Sequence, residues 1–446
     1  MIHSKKGGRR SALALGVIAS VMLAGCSGQP AAPEAETAEL SQEAIDEAMS
    51  AKTTIDFWTW VPNSEIAVEA FEKKYPNITV NLVQTNSREQ EQRLRTAISA
   101  GTGVPDVVQL QDAAISSFVL TKDLLDLAPY GAADLKSEFA PAAWKAVSVA
   151  DGVYAVPQDI APMAMLYRTD LFEQAGVQIP TTWEEFAEAA PIIKEKTGSY
   201  IANVSTVELQ GYVRQGATSP LTDWDGNTGV TVDVSNSETK QVTQYWQDLI
   251  DKDLVSTQTI LTDSWFQGMS AGKYATWTAG AWAPVFLKEP AASSAGLWRV
   301  APMPRWSSDT PVSVNLGGAS TAVSATTKNP IVAAQFALWL NASNEGASLN
   351  MDKLSLFPST TTMLNDPAFT EREDPFFGGQ NVNSVFSEMA SESVQDTPVP
   401  FSGYYTSSLN DTVGAALANG TSIVDAFAEW QESLSTYATS QGFTTK

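Results

Sequence analysis

Residues 53–84, TTIDFWTWVPNSEIAVEAFEKKYPNITVNLVQ, lead through a short link into 87–112, SREQEQRLRTAISAGTGVPDVVQLQD. TTIDFWTW is rich in β-branched and aromatic residues and reads as a strand running into a loop. Asn63 is placed to cap a helix that stops at Tyr75-Pro76, because the residue before a proline avoids helical backbone. NITVNLVQ reads as a second strand. Ser87 and Gln90 have the spacing of a capping box for the next helix, which ends at Gly101. PDVVQLQ reads as a buried strand that finishes at Asp112. A β-α-β-α-β run predicts a largely parallel sheet with helices on both faces.

Toward the C-terminus the same α/β alternation continues. Asp151-Gly152 inside VSVADGVYAV (147–156) reads as a tight hairpin turn, and MAMLYR (163–168) as a further strand. Thr182 and Glu185 form a second capping box, opening the helix TWEEFAEAAPIIKEKTG (182–198). Pro191 inside it predicts a kink or break. No repeat of solenoid type is present.

Toward the N-terminus the character changes. Lys5, Lys6, Arg9 and Arg10 precede the apolar stretch SALALGVIASVMLA (11–24). That stretch is shorter than the roughly 20 residues a membrane-spanning helix needs, so it reads as a secretory signal. Leu23-Ala24-Gly25-Cys26 looks like a bacterial lipoprotein cleavage site, with Cys26 lipidated and becoming the new N-terminus. Residues 27–51, SGQPAAPEAETAELSQEAIDEAMSA, hold no aromatic and read as a solvated tether, with 41–50 open to local helix.

The whole chain has 446 residues, 43% apolar, and a formal charge of -23. This length and apolar content suit two or three domains with real cores. Loss of the signal removes four basic residues and no acidic one, so the mature chain is more acidic still. Such a surface repels nucleic acid and anionic lipid. The one His is His3 and the one Cys is Cys26, both in the leader region. Histidine catalysis, a His or Cys metal site and a disulfide framework therefore lack their residues. There is no GxxxxGK[ST] phosphate loop and no GxSxG elbow. DWDGN (223–227) fails as a calcium loop, because the sixth position is Thr228 and the twelfth Val234, and it reads as a turn. No spacing selects a pair of catalytic carboxylates.

The positive signal is aromatic. Trp58 and Trp60 fall at the carboxyl end of the first strand and Asp112 at that of the third, where open parallel sheets bind ligands. A ring face covers the C–H side of a sugar and a carboxylate accepts from its hydroxyls. Each Trp equally suits a strand-end core position.

Four stretches then carry a resemblance over about 52–440. They are GTGVPDVVQLQD (101–112), DGVYAVPQDIAPMAMLYRTDLFEQAGVQIPTTWEEF (151–186), MSAGKYATWTAGAWAP (269–284) and VNLGGASTAVSATTKNPIVAAQFALWL (314–340). In order and spacing, behind a lipoprotein-like signal, they resemble the extracellular solute-binding proteins of ABC importers. The likeness is to the carbohydrate-binding, maltose-binding-protein-like group.

The resemblance implies an α/β, two-lobe periplasmic-binding-protein-like fold with a ligand cleft between the lobes. Lobe one would hold 52–159 and 318–358, and lobe two 160–317 and 359–446, with crossings near Pro157, Gly317 and Pro358. Matched residue by residue, Asp112 would accept hydroxyls and Trp282 of Gly-x-Trp would line the cleft, with Ala281 replacing the family's commoner Pro. Gly318 would let a sugar approach the backbone, and Trp60 and Asn63 would lie on the first-strand loop. Asp159 would face the cleft or join a hinge salt bridge, and Tyr404 in FSGYY would supply a cleft aromatic. Trp183, Trp339 and Trp265 have helical spacing and read as core.

The expected protein is thus a non-enzymatic, monomeric lipoprotein outside the bacterial cell membrane, held there by its lipid anchor. It would capture a carbohydrate without cofactor or metal and deliver it to an ABC importer permease. A surface glycoside hydrolase, or a binder of another solute, stays open on the residues alone.

Overall fold

The computed structural model describes residues 40–446; the expected signal at 1–25, Cys26 and residues 27–39 lie outside the described residues. Helix α1 (Gln42–Ser50) is capped by the Ser41 side chain, and Met49 is buried with Ile45 and Ala48 packed on the same core. The end of the expected tether is therefore a docked amphipathic helix. Asn77 also holds its C-terminus, donating to the Ser50 carbonyl at 2.8 Å.

Strands β1 (Thr53–Thr59), β2 (Ile78–Gln84) and β3 (Val107–Gln111) are parallel, joined by helices α2 (Glu65–Lys74) and α3 (Ser87–Ala100). Local details differ from the sequence reading. Ser64 occupies the N-cap position of α2, and Asn63 precedes it with φ +62°. Asn86, not Ser87, caps α3 by accepting from Glu89 N at 2.9 Å. Gln90 turns inward instead and donates to the Gln109 carbonyl at 2.6 Å. Its buried amide finds a backbone partner there, which a solvent-facing capping box would not supply.

Two long strands bind the rest together. β4 (Ala155–Arg168) and β7 (Ser313–Val323) run antiparallel, so the sheet order is β2-β1-β3-β7-β4-β5, with β5 at Thr276–Gly280. Along one edge of β4 the partner changes, from β7 at residues 155–162 to β6 (Trp298–Ala301) at 165–168. The short β8 (Ser393–Val394) pairs parallel with the start of β7. Among the long strands of this sheet the parallel reading thus holds for β1–β3; β7 returns from a distant part of the chain and enters antiparallel.

The cores divide along these strands. Ala155, Val156, Ala322 and Val323 join one core with Ile55, Phe57 and Phe71. Helix α9 (Pro330–Ala342) closes that core, with Phe336 packed edge-on against Phe57 at 5.1 Å and Phe71 at 4.9 Å. Further along β4, Met163 and Met165 face a second core while Ala164 and Leu166 face a third, as the two faces of a strand must, and helix α8 (Asp263–Ser270) brings Trp265 and Met269 to that third core. The second core is built by α5 (Trp183–Thr197), α6 (Thr206–Gly216), α7 (Ser237–Asp251) and α12 (Ile423–Ser440). Trp183, Trp246, Trp265, Trp277, Trp298 and Trp430 are among the largest fully buried side chains. Much of the tryptophan content is therefore packing, worth about 3–5 kcal/mol per ring removed. Leu364 and Ala390, from beyond the third expected crossing, pack into the first core.

The capping box on α5 is present, and α5 continues unbroken through Pro191. The residues around the proline, Ala189, Ala190 and Ile193, are buried, so packing holds the helix across the one N–H it lacks. The hairpin near 150 turns on Ala150 and Asp151, one residue earlier than expected, with Ala150 at φ +49° and Gly152 inside the returning strand. Asp225 makes the expected turn, accepting from Asn227 N at 2.9 Å and Gly229 N at 3.0 Å. Among the described residues no group of three or more His, Cys, Asp or Glu is placed to hold a metal, and no helix is long and apolar enough to cross a membrane.

Candidate ligand cleft

Gly317 and Gly318 interrupt β7 where it passes from one core to the other. Both take positive φ, +117° and +118°, and the ladder with β4 shifts register between Asn315 and Gly318. Asn315 braces this bulge from beneath, donating to the Gly317 carbonyl at 2.8 Å and accepting from Ala161 N at 2.7 Å. A Cβ on Gly318 would lie 2.5 Å from Asp112 Oδ2 and 3.0 Å from the Asp159 carbonyl. Glycine is required there because two acidic residues close in on the backbone.

Asp112 is the first residue of α4 (Asp112–Leu120), directly after β3. It is 5% exposed, and Ser320 Oγ donates to its Oδ1 at 2.6 Å. Burial pushes its carboxyl up to about 8, against the Ser320 hydrogen bond, and the neighbouring Asp159 charge adds to the rise. Asp159 is half-buried and accepts from Ala319 N at 2.6 Å. Burial raises its carboxyl to about 7, again against its hydrogen bonds. No ion pair involving Asp159 forms among the described residues, so the hinge salt bridge gives way to this backbone bond.

Asp112 and Gly318 edge a cavity of about 330 Å³, and Asp159 is not among its lining residues. One wall is Gln111 and Asp112 from the first lobe; the floor is Asn315 to Gly318; the far wall includes Gly211, Arg214, Asp396 and Tyr405. Arg214 and Asp396 form a mostly buried ion pair, and Asp396 Oδ2 also accepts from Leu221 N at 2.8 Å. Burial raises the Asp396 carboxyl overall, and Arg214 opposes that rise. A second groove of about 510 Å³ adjoins at Ser402. Tyr404 lines it from helix α11 (Ser402–Leu409). Its ring stacks on Tyr437 with centroids 3.8 Å apart, and its hydroxyl meets Ser433 at 2.8 Å.

The structure therefore brings together Asp112, Asp159 and Gly318, with Tyr404 in the adjoining groove. Trp282 is half-buried beside the floor, not among the lining residues. Its Nε1 donates to the Leu316 carbonyl at 3.2 Å, and its ring meets Trp277 and Phe286 edge-on. Trp58 goes elsewhere. It is 6% exposed in the first core, with the Arg93 guanidinium 4.3 Å above its ring, so the core alternative describes it. Its place under α3 follows from the strand's two-residue period, which turns it from the sheet end. Trp60 is half-buried with its N–H donated to Gln109 Oε1 at 3.1 Å, and Asn63 is exposed; neither lines the cavity.

Sequence reasoning missed Gln111, Arg214, Asn315, Gly317, Asp396 and Tyr405. Gln111, Asn315 and Gly317 lay beside residues already singled out, and the Asn-x-Gly-Gly spacing was their signal. Arg214 and Asp396 are 182 positions apart, and no local pattern joins them.

A family model described as bacterial extracellular solute-binding protein matches residues 64–346. An arabinooligosaccharide-binding protein of Halalkalibacterium halodurans is 23% identical over 388 residues, covering 83% of this chain and 86% of that protein. A lactose-binding protein of Rhizobium radiobacter is 24% identical, covering 83% of this chain and 89% of its own length. Among solved structures, the ABC transporter associated binding protein of B. animalis subsp. lactis in complex with beta-1,6-galactobiose superposes with TM-score 0.73. It is 27% identical, and the match covers 89% of this chain and 100% of that one. The fold is the two-lobe α/β fold of that structure, with the cavity placed where Gln111 and Asp112 face the helices of the second core. With the family model matching more than half of its length, the chain belongs to the bacterial extracellular solute-binding proteins.

Proposed function

We propose that this protein is the lipid-anchored sugar- or oligosaccharide-binding subunit of an ABC importer, and that it closes on its ligand and hands it to a membrane permease. The observation that carries the reading is the cavity between the lobes. There, the buried Asp112 carboxyl and an open Gly-Gly backbone present acceptors to a polyhydroxylated ligand, with the half-buried Asp159 close behind Gly318. The binding of arabinooligosaccharide, lactose and galactobiose by the relatives supports a carbohydrate. We take the lobes to divide as 52–159 with 318–358 and 160–317 with 359–446, with Leu364 and Ala390 packing back onto the first core. A ligand that touches both walls only when they meet stabilises the closed state by its differential affinity. Asp112, Asp159 and Gly318 contact it directly. Tyr404 lines the path of a longer chain, and Trp282, Trp60 and Asn63, outside the cavity lining, reach the ligand only on closure.

Mass spectrometry of ligand carried through purification, followed by a glycan array, tests the class. A carbohydrate is expected, and it should be recovered uncleaved after long incubation. A peptide or polyamine ligand, or hydrolysed glycan, would refute the reading. With the identified glycan, solution scattering should show a smaller radius of gyration at saturation.

Protonation gives a sharper expectation. Ligand hydroxyls donating to Asp112 and Asp159 favour the ionised forms and lower their raised pKa values, about 8 and about 7. Binding near pH 7 should therefore release protons. Calorimetry in buffers of different ionisation enthalpy should show a buffer-dependent heat, reduced in Asp112→Asn. A heat independent of buffer would mean that the carboxyls keep their protons.

The anchor rests on Leu23-Ala24-Gly25-Cys26 alone. Cys26→Ser should abolish lipid labelling and release the protein from the envelope. Retention of the unprocessed chain's usual labelling in that variant would refute the assignment.

A further inference from the structure

Behind the two carboxyl groups, segments 157–159 and 358–360 run side by side. Asp159 and Pro358 form an antiparallel bridge, and Ser359 Oγ donates to the carbonyls of Pro157 at 3.0 Å and Gln158 at 3.3 Å. Helix α10 (Asn344–Asp352) packs against them. With Asn341 and Leu356 they enclose a cavity of about 10 Å³, the space one water molecule takes.

Three side-chain oxygens of its lining residues are buried and meet no protein partner: Gln158 Oε1, Asn350 Oδ1 and Thr360 Oγ1. Their residues are 4%, 4% and 5% exposed. The Asn350 amide cannot reverse to satisfy itself. Its Nδ2 already donates to the Leu340 carbonyl at 3.0 Å and to Asn341 Oδ1 at 3.2 Å. Orphaned buried oxygens of this kind cost free energy, and such groups are otherwise paired.

We propose that this cavity is a structural water site tying the chain segment at 157–159 to that at 358–360 and to α10. The valences match. Water donates its two hydrogens to the carbonyl oxygens of Gln158 and Asn350 and accepts from the Thr360 hydroxyl. No charged side chain lines the cavity, so a metal cation there would be uncompensated. The site lies one residue from Asp159 but needs no ligand in the cleft, and it stands whether or not the ligand is a sugar. Because β4 continues from segment 157–159 into the second core, the water stiffens a passage between the lobes.

A crystal structure of the full chain at about 1.8 Å or better should show one peak about 2.6–3.2 Å from all three oxygens. Thr360→Val supplies an energetic test, because it replaces the hydroxyl by a methyl of similar shape. With the water present, the swap strips it of a partner, and Tm should fall by about 1–2 °C. Without it, the swap removes an orphaned hydroxyl, and Tm should hold or rise. Gln158→Met removes a second partner, and the double variant should lose less than the sum of the two, since both act through one molecule. Strictly additive losses, an unchanged or raised Tm in Thr360→Val, or a Tm that rises with added sodium or potassium would each overturn the proposal. Should Thr360→Val fail to fold, the density and Gln158→Met decide the question in the same way.

Discussion

Gly318→Ala should weaken binding of the cognate glycan by roughly 30- to 150-fold and lower Tm, while Gly317→Ala at the adjacent position does much less. Both glycines sit at strongly positive φ, so each substitution carries backbone strain of about 1–3 kcal/mol. Space separates them. At Gly317 the nearest atom to a new Cβ is Ala161 Cβ at 3.6 Å, an ordinary contact. At Gly318 it is Asp112 Oδ2 at 2.5 Å, with the Asp159 carbonyl at 3.0 Å on the other side. The carbonyl belongs to the paired β4 strand and cannot retreat, so Asp112 must move. Its bond from Ser320 at 2.6 Å is then lost. With the ligand bound and Asp112 ionised, a hydrogen bond to its carboxylate is worth about 2–3 kcal/mol, which is the stated loss in affinity if the ligand needs Asp112 where it is. Calorimetric titration and thermal melts of both variants check this. If Gly318→Ala binds as wild type and melts with Gly317→Ala, then Asp112 neither holds the ligand nor depends on this close approach.

Trp282→Ala should cut affinity by roughly 30- to 1000-fold, the range of a truncated aromatic hot spot at about 2–4 kcal/mol. Two contributions reach the cleft. The exposed part of the half-buried ring offers an apolar face at the rim. Its Nε1 also holds the Leu316 carbonyl at 3.2 Å, and Leu316 and Gly317 form the cavity floor. The same truncation removes the edge contacts with Trp277 and Phe286, so Tm should fall as well. Trp282→Phe separates the parts, since it keeps a ring against Trp277 while deleting the N–H and part of the indole surface. Its Tm should lie near wild type and its affinity between the other two. Affinities are measured well below each Tm, where every variant is folded. An alanine variant that binds normally under those conditions would leave Trp282 a packing residue of the third core and nothing more.

The acidic pair illustrates how far local reading reaches. Asp112 was legible because a buried strand followed by a carboxylate at its carboxyl end has one natural location in an open α/β sheet. Its raised pKa was not legible, because that depends first on burial in the folded protein, then on Ser320, which opposes the rise, and on Asp159, which adds to it, both more than forty positions away. Trp58 shows the reverse. Composition made it a plausible plate for a sugar, yet the guanidinium of Arg93 and the body of α3 cover it. A tryptophan carries the same letter whether it packs or binds, and only its neighbours distinguish the two.

What the sequence by itself determined is what short-range physics encodes. The strand and helix alternation of residues 53–112, the Thr182–Glu185 capping box and the turn at Asp225 all follow from side chains within a few residues of one another. The exclusion of histidine and thiol chemistry from the folded body is likewise a matter of composition. Only the tertiary structure decided that β7 enters antiparallel between β3 and β4, that Arg214 meets Asp396, and that Pro191 leaves α5 unbroken. Each of those outcomes is set by burial against partners distant in the chain. The free energy of packing there exceeds the local preference of about 1–3 kcal/mol that a single residue expresses, so the long-range contacts win.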